Sequence, residues 1–298
     1  MKIIKLSLST FMVLGFLSGC TPSAELTPAQ KKELSKFDVS QIKELGSEIH
    51  KAMNEDELLF YAPVSIEKAK EYYEEAMEAE LKDEKLAAYL AAKKALKHGY
   101  ETKKLVKKYL ADVADIDRRM KIQNTKEIYP DRYEDFLDDY NDLIKTIDEG
   151  KTSEALEDKK EVMAEAKDLY GDAVVFRNIN KAKLILEKLE DEDLDELVKK
   201  HFEQAQNLYE SSRLRIKKEP DNHEMIEDVS KKTNEFALYT QTLAQDVFNF
   251  RALDKEEQEM YFDKLHRRIS ELNKDEANNA ILPYPIYEKI DRLQEMNK

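Results

Sequence analysis

The side chains able to do chemistry are few and scattered. His50, His98, His201, His223 and His266 stand singly, and none forms the i, i+4 pair that helical zinc sites use. Asp263 and His266 share one helical face, but a di-metal carboxylate centre needs two Glu-x-x-His rows and further inward glutamates, so the pair reads as an exposed polar contact. The chain has no glycine-rich phosphate loop and no Gly-x-Ser-x-Gly elbow, which removes the usual scaffolds of phosphoryl transfer and serine hydrolysis. The expectation is a protein with no catalytic residues, no enzymatic activity and no metal. Two features remain. Asp135, Asp138, Asp139 and Asp142, at steps of three and four, fall on one side of a helix and repel one another by about a few tenths of a kcal/mol per pair unless a cation or basic partner meets them. A calcium loop would need a glycine turn there, and none is present, which leaves a solvated face or a docking face. Cys20 is the sole cysteine, so it cannot form an intrachain disulfide.

The elements that position these residues are helices. Glycine and proline number 6 and 7, where average usage would give about 20 and 15, and folds built on strands and tight turns spend far more of both. The 26 aromatic residues at regular spacing oppose disorder, despite a charged fraction of 38% and a mean hydropathy of −0.72. Ala88, Ala92, Ala95, Gly99, Thr102, Val106, Tyr109, Val113, Ile116 and Met120 alternate steps of four and three, which keeps one stripe facing a neighbour over about 48 Å. Ile226, Val229, Thr233, Phe236, Thr240, Leu243, Val247 and Phe250 repeat the pattern.

Shorter segments carry the same period. Pro63 opens a helix carrying Ile66, Ala69, Tyr73 and Ala76, and Pro130 opens another carrying Tyr133, Phe136, Tyr140, Ile144 and Ile147. Ile42, Leu45, Ile49 and Ala52 belong to an earlier helix, and Thr27 to Gln30 has the form of a capping box. Asp254 to Glu257 reads as a capped start leading to Phe262, Leu265, Ile269 and Leu272. Turns are expected near residues 82–83, 149–151, 190–193 and 218–221, with Asp191-Glu192-Asp193 read as decorating a helix start, where the dipole favours negative charge. The segments from Pro63 and from Pro130 read as loosely repeated hairpins 67 residues apart, too far for the 34-residue tetratricopeptide period. Residues 29–282 are therefore expected to form an all-α, elongated antiparallel bundle or spectrin-like rod with heptad-spaced seams, the alternative being a tetratricopeptide-like solenoid. Residues 283–298 are expected to form a short helix after the Pro283 and Pro285 break. Of the 15 tyrosines, Tyr72, Tyr73, Tyr140, Tyr170, Tyr209 and Tyr239 lie on or beside packing faces, as seam fillers or as part of a protein-binding groove.

Lys2 and Lys5, the apolar run from Phe11 to Leu17 and the small pair Ser18-Gly19 give residues 1–19 the zones of an export signal. The apolar run is about half the roughly 20 residues a spanning helix needs. The row Leu17-Ser18-Gly19-Cys20 resembles the lipobox of bacterial lipoproteins. The resemblance implies cleavage before Cys20, a thioether-linked diacylglycerol on its sulfur and an acyl chain on the new amino group, with no other cofactor and with residues 20–28 as a tether. Two or more chains make anchoring effectively permanent, each buried methylene adding about 0.8 kcal/mol. Thr21 stands where an aspartate usually signals inner-membrane retention, which implies an outer-membrane lipoprotein facing the periplasm in a diderm source.

A second resemblance covers residues 61–120. The row from Tyr61 to Lys70, with Ala76, the turn at Lys82-Asp83 and the alanines from Ala87 to Ala95, resembles an uncharacterised helical segment of envelope lipoproteins, some of which continue into an OmpA-like domain. No such domain follows here, so the resemblance implies no peptidoglycan binding. Removing 19 of 298 residues leaves 279, and losing Lys2 and Lys5 takes the formal charge from −14 to −16. That sign disfavours nucleic acid as a partner. The sequence thus points to a membrane-anchored scaffold or adaptor, held in the bilayer through Cys20 and partnered by other envelope proteins or by its own copy. The alternative is a helical carrier or chaperone for a hydrophobic ligand or an unfolded polypeptide.

Overall fold

In the computed structural model, which describes residue 32 and residues 34–272, every regular element is helical and no strand occurs among those residues. The protein is an all-α helical bundle. Residues 1–31, with Cys20 and the capping box at Thr27, and residues 273–298, with the Pro283 break, lie outside the described residues. The described residues cluster into two units. One holds the residues up to Val106 together with Ile147–Lys151, and the other holds Lys107–Thr146 and the residues from Thr152 onward.

In the first unit α1 (Ser40–Asn54), α2 (Leu58–Tyr61) and α3 (Pro63–Glu78) pack on one another, with α4 (Lys82–Tyr109) contributing its length up to Val106. Pro63 opens α3, and Ile42, Leu45, Ile49 and Ala52 are the buried face of α1. Burial of the Ile42, Leu45 and Ile49 side chains stabilises by about 1.5–3 kcal/mol each relative to exposure. Gly99 lets α2 and α3 pack closely on α4: a Cβ there would lie 3.4 Å from Leu58 Cδ1 and 3.4 Å from Ser65 Cβ.

Three contacts close this unit. Asp148, only 3% exposed, accepts hydrogen bonds from the Ser65 amide at 2.8 Å and from the Ser65 hydroxyl, so a carboxylate 83 residues away caps the first turn of α3. His98 Nε2 donates to the Asp148 carbonyl at 3.0 Å, which gives this histidine a structural task. The left-handed residue Glu57 (φ 57°) turns the chain between α1 and α2, and α4 holds that turn through Lys103, which donates to the Asp56 carbonyl, and Tyr100, which donates to the Asp56 carboxylate at 2.6 Å. Burial, reinforced by Asp56, pushes the Tyr100 hydroxyl up to about 12.

The second unit contains α5 (Ala111–Ile122), α6 (Thr125–Ile128), most of α7 (Pro130–Asp148), α8 (Thr152–Asp191), a 3-10 turn at Asp195–Leu197, α9 (Lys199–Lys218), α10 (His223–Ala252) and α11 (Lys255–Leu272). The stripe from Ala88 to Met120 is therefore not one helix. Leu110 leaves helical geometry (φ −110°, ψ 19°) between α4 and α5, and a step of four from Tyr109 to Val113 keeps the inward face in register across the break. Gly150 (φ +84°) makes the turn after α7, a conformation that costs glycine nothing. Asp254 and Glu257 form the expected capping box at α11, each backbone amide reaching the other's carboxylate at 2.9 Å.

Helix α8 organises this unit. It spans 40 residues, about 60 Å, and packs against α5, α9 and α10, while α9 and α10 also pack together. Residues 169–171 and 173–175 are all buried, so apolar side chains surround the helix at its middle and do not keep to one stripe. Asn234 of α10 reaches into it: its Oδ1 accepts from the Ala182 amide at 3.1 Å and its Nδ2 donates to the Asn178 carbonyl at 2.9 Å. An α-helix would pair those two backbone groups with each other.

Candidate functional site

The four aspartates singled out in the sequence, Asp135, Asp138, Asp139 and Asp142, are exposed on one side of α7. Their placement follows from the buried positions between them, where Tyr133, Phe136, Tyr140, Leu143 and Ile144 face inward and leave the intervening residues in water. Across from them α8 presents Asp158, Glu161 and Glu165, and with Asp139 and Asp142 these line an open groove of about 370 Å³. Asp135 lines a neighbouring groove of about 470 Å³ with Arg132, Glu165 and Asp168. Burial first, and then the charges of Asp135, Asp142, Asp138 and Glu161, push the Asp139 carboxyl above the ordinary aspartate value. Lys145 meets Asp142 at 2.9 Å. The face is thus a concentration of negative charge relieved at one edge. Among the described residues no three carboxylates, imidazoles or thiolates converge as metal ligands. The arrangement suits a basic side chain or segment arriving from outside.

Next to this face, Arg132 bonds Asp172 at 2.9 Å and Asp168 at 3.2 Å, and Lys217 bonds Asp168 at 2.7 Å and Asp172 at 2.8 Å. The network ties α7, α8 and α9 together. Burial pushes the Asp172 carboxyl up, but the hydrogen bonds from Lys217 and Arg132 outweigh it and hold the group below the ordinary value. Asp117, nearly buried on α5, accepts from Tyr133 at 2.7 Å and pairs with Lys121 at 2.6 Å, so α7 is fixed at its start as well. The acidic face therefore stands on a braced helix.

The histidines go to separate places. His50 lies beside Asn54, His98 serves Asp148, His201 stands edge-on to the Tyr239 ring at 5.9 Å, and His223 begins α10. Asp263 pairs with Arg267 at 2.9 Å. Tyr140 and Tyr170 are buried seam fillers, Tyr72, Tyr73 and Tyr209 are half-buried, and Tyr239 is 52% exposed. The chain matches no family model, no curated protein and no solved structure. Residue roles therefore come from this geometry alone. Cys20, Leu17, Ser18 and Gly19 lie outside the described residues.

A third concave surface has no counterpart among the motifs of the sequence. Between α8, α10 and the segment around α6 lies an open groove of about 610 Å³, lined by Phe176, Leu184 and Ile128 and by Arg177, Lys181 and Lys188. The signal was present: from Ala173 to Leu186 the chain has no acid but carries Arg177, Lys181 and Lys183.

Proposed function

We propose that the protein is a lipid-anchored, non-catalytic helical scaffold of a bacterial cell envelope, tethered through Cys20 and presenting its helical faces to envelope proteins or to a second copy of itself. The observation that carries this reading is the position of the sole cysteine, directly behind the apolar run Phe11–Leu17 and the small pair Ser18-Gly19. With a diacylglycerol on the sulfur and an acyl chain on the amino group, the anchored end stays in the bilayer while the body works in water. Thr21 favours the periplasmic face of an outer membrane. No helix among the described residues is long and apolar enough to cross a membrane.

The acidic groove between α7 and α8 supports a role in protein binding. Its carboxylates repel one another in the free protein, and a partner supplying lysine or arginine would relieve that repulsion and gain on-rate from the field. The test has two arms. Cys20→Ser should move the protein from the membrane to the soluble fraction. Crosslinking in intact cells should recover one stoichiometric envelope protein or a crosslinked dimer, with recovery reduced when Asp139 and Asp142 are both changed to lysine. Unchanged fractionation of the serine variant would contradict the anchor, and crosslinking unaffected by charge reversal would contradict the docking face.

A further inference from the structure

The Phe176 groove has the properties of a ligand site. On α8, Phe176, Asn180, Leu184 and Lys188 form one i, i+4 row and Arg177, Lys181 and Ile185 the next, so the floor runs about 18 Å along the helix. Ile128 borders it on the α6 side and Gln241 on the α10 side. Its volume, about 610 Å³, falls in the range of about 300–1,000 Å³ that small-molecule sites occupy. Phe176 is 40% exposed and Leu184 is 57% exposed, which leaves apolar surface in water along the open groove.

The charge in the groove is opposite to that of the chain. The whole sequence carries −14, yet Glu127 is the one acid among the lining residues, against Arg177, Lys181 and Lys188. Lys188 is shared with Glu192 at 3.7 Å, whereas Arg177 and Lys181 form no ion pair among the described residues. Standing one turn apart on the same face, those two cations can converge on a single anionic group. Asn234 pins α8 beneath them by spanning the Asn178 carbonyl and the Ala182 amide, so the floor is fixed in place by a side chain of α10.

We propose that this groove binds a single-chain anionic amphiphile, with its carboxylate held between Arg177 and Lys181 and its apolar chain laid over Phe176, Ile128 and Leu184. The cations flank apolar side chains in place of forming the broad basic field that a polyanion or an anionic bilayer surface needs. The site stands on its own geometry, whether or not Cys20 carries lipid.

The test uses the full-length chain with anilinonaphthalene sulfonate as the fluorescent probe and dodecanoate as competitor. One dodecanoate per chain should displace the dye from this site. Reversing both charges, Arg177→Glu with Lys181→Glu, should weaken dodecanoate by about tenfold or more, the loss expected when charged hydrogen bonds are removed. Leu184→Asp should do the same, while Leu214→Asp, at an equally exposed position on α9, should leave affinity unchanged. These side chains are solvent-facing, so unchanged helical circular dichroism is expected, and Lys181→Gln with Arg177→Gln provides a milder pair should the reversal unfold the chain. Equal binding of the neutral dodecyl maltoside, or dodecanoate affinity unchanged in both charge variants, would overturn the proposal.

Discussion

At the scale of single residues, the stability of the first unit turns on Asp148. Its buried carboxylate satisfies both the amide and the hydroxyl of Ser65, and truncation would leave two donors without acceptors in a site closed to water. Asp148→Ala should cost about 1–3 kcal/mol, seen as a lower urea midpoint and faster amide exchange in the first turn of α3. Asp148→Asn, which keeps one acceptor oxygen, should lose less; an alanine variant as stable as the parent would show that the cap contributes nothing. Asp139 is the opposite case. Its folded carboxyl is raised by burial and by neighbouring carboxylates, so the ionised form is disfavoured in the native state and stability rises as pH falls from the folded value toward the ordinary one. Asp139→Asn should accordingly stabilise the protein at neutral pH, by about a few tenths of a kcal/mol for each like-charged neighbour relieved. A lower melting temperature for this variant would contradict that account.

Helices reveal which parts of the fold the sequence could disclose. The openings at Pro63 and Pro130, the capping box at Asp254 and Glu257, and the inward faces of α1, α7 and α10 were legible because each depends on residues within one or two turns. The break at Leu110 was not, since the steps of three and four pass through it undisturbed and neither glycine nor proline marks it. Helix α8 was hidden for another reason: its middle is buried all round, so no single apolar period describes it. The acidic face was half legible. Asp135 to Asp142 share a side of α7 by spacing alone, but their meeting with Asp158, Glu161 and Glu165 is a product of the fold, as is the placement of Asn234 across α8. The Arg132, Lys217, Asp168 and Asp172 network, which joins three helices, makes its own prediction. Because the Asp172 carboxyl is held below its ordinary value, its contribution is complete above about pH 4 and is lost as pH falls through the lowered folded value. Lys217→Met, which returns the folded carboxyl toward its unfolded value, should lower the melting temperature most at neutral pH and flatten its fall on the acid side, and an unchanged pH profile would show that the pairs are idle.

For the whole molecule, the proposed function divides the work between an acidic body and an acylated end. The formal charge of −14 on the whole chain disfavours anionic surfaces, so on the proposed reading membrane residence comes from covalent lipid and not from electrostatic attraction. Among the concave surfaces of the body, two are opposite in character: the acidic groove of Asp139 and Glu161, and the apolar groove rimmed by Arg177 and Lys181. A basic protein segment and a small anionic amphiphile are different enough to be bound independently, and changing Arg177 and Lys181 should leave crosslinked partners unaltered. The proposed place at the membrane depends on attachment through Cys20. The direct measurement is the mass of the amino-terminal peptide of the protein isolated from its native cell. The account predicts a chain beginning at Cys20 whose mass includes a diacylglycerol and an amide-linked acyl group; a chain beginning at Met1, or one with an unmodified Cys20 thiol, would contradict it.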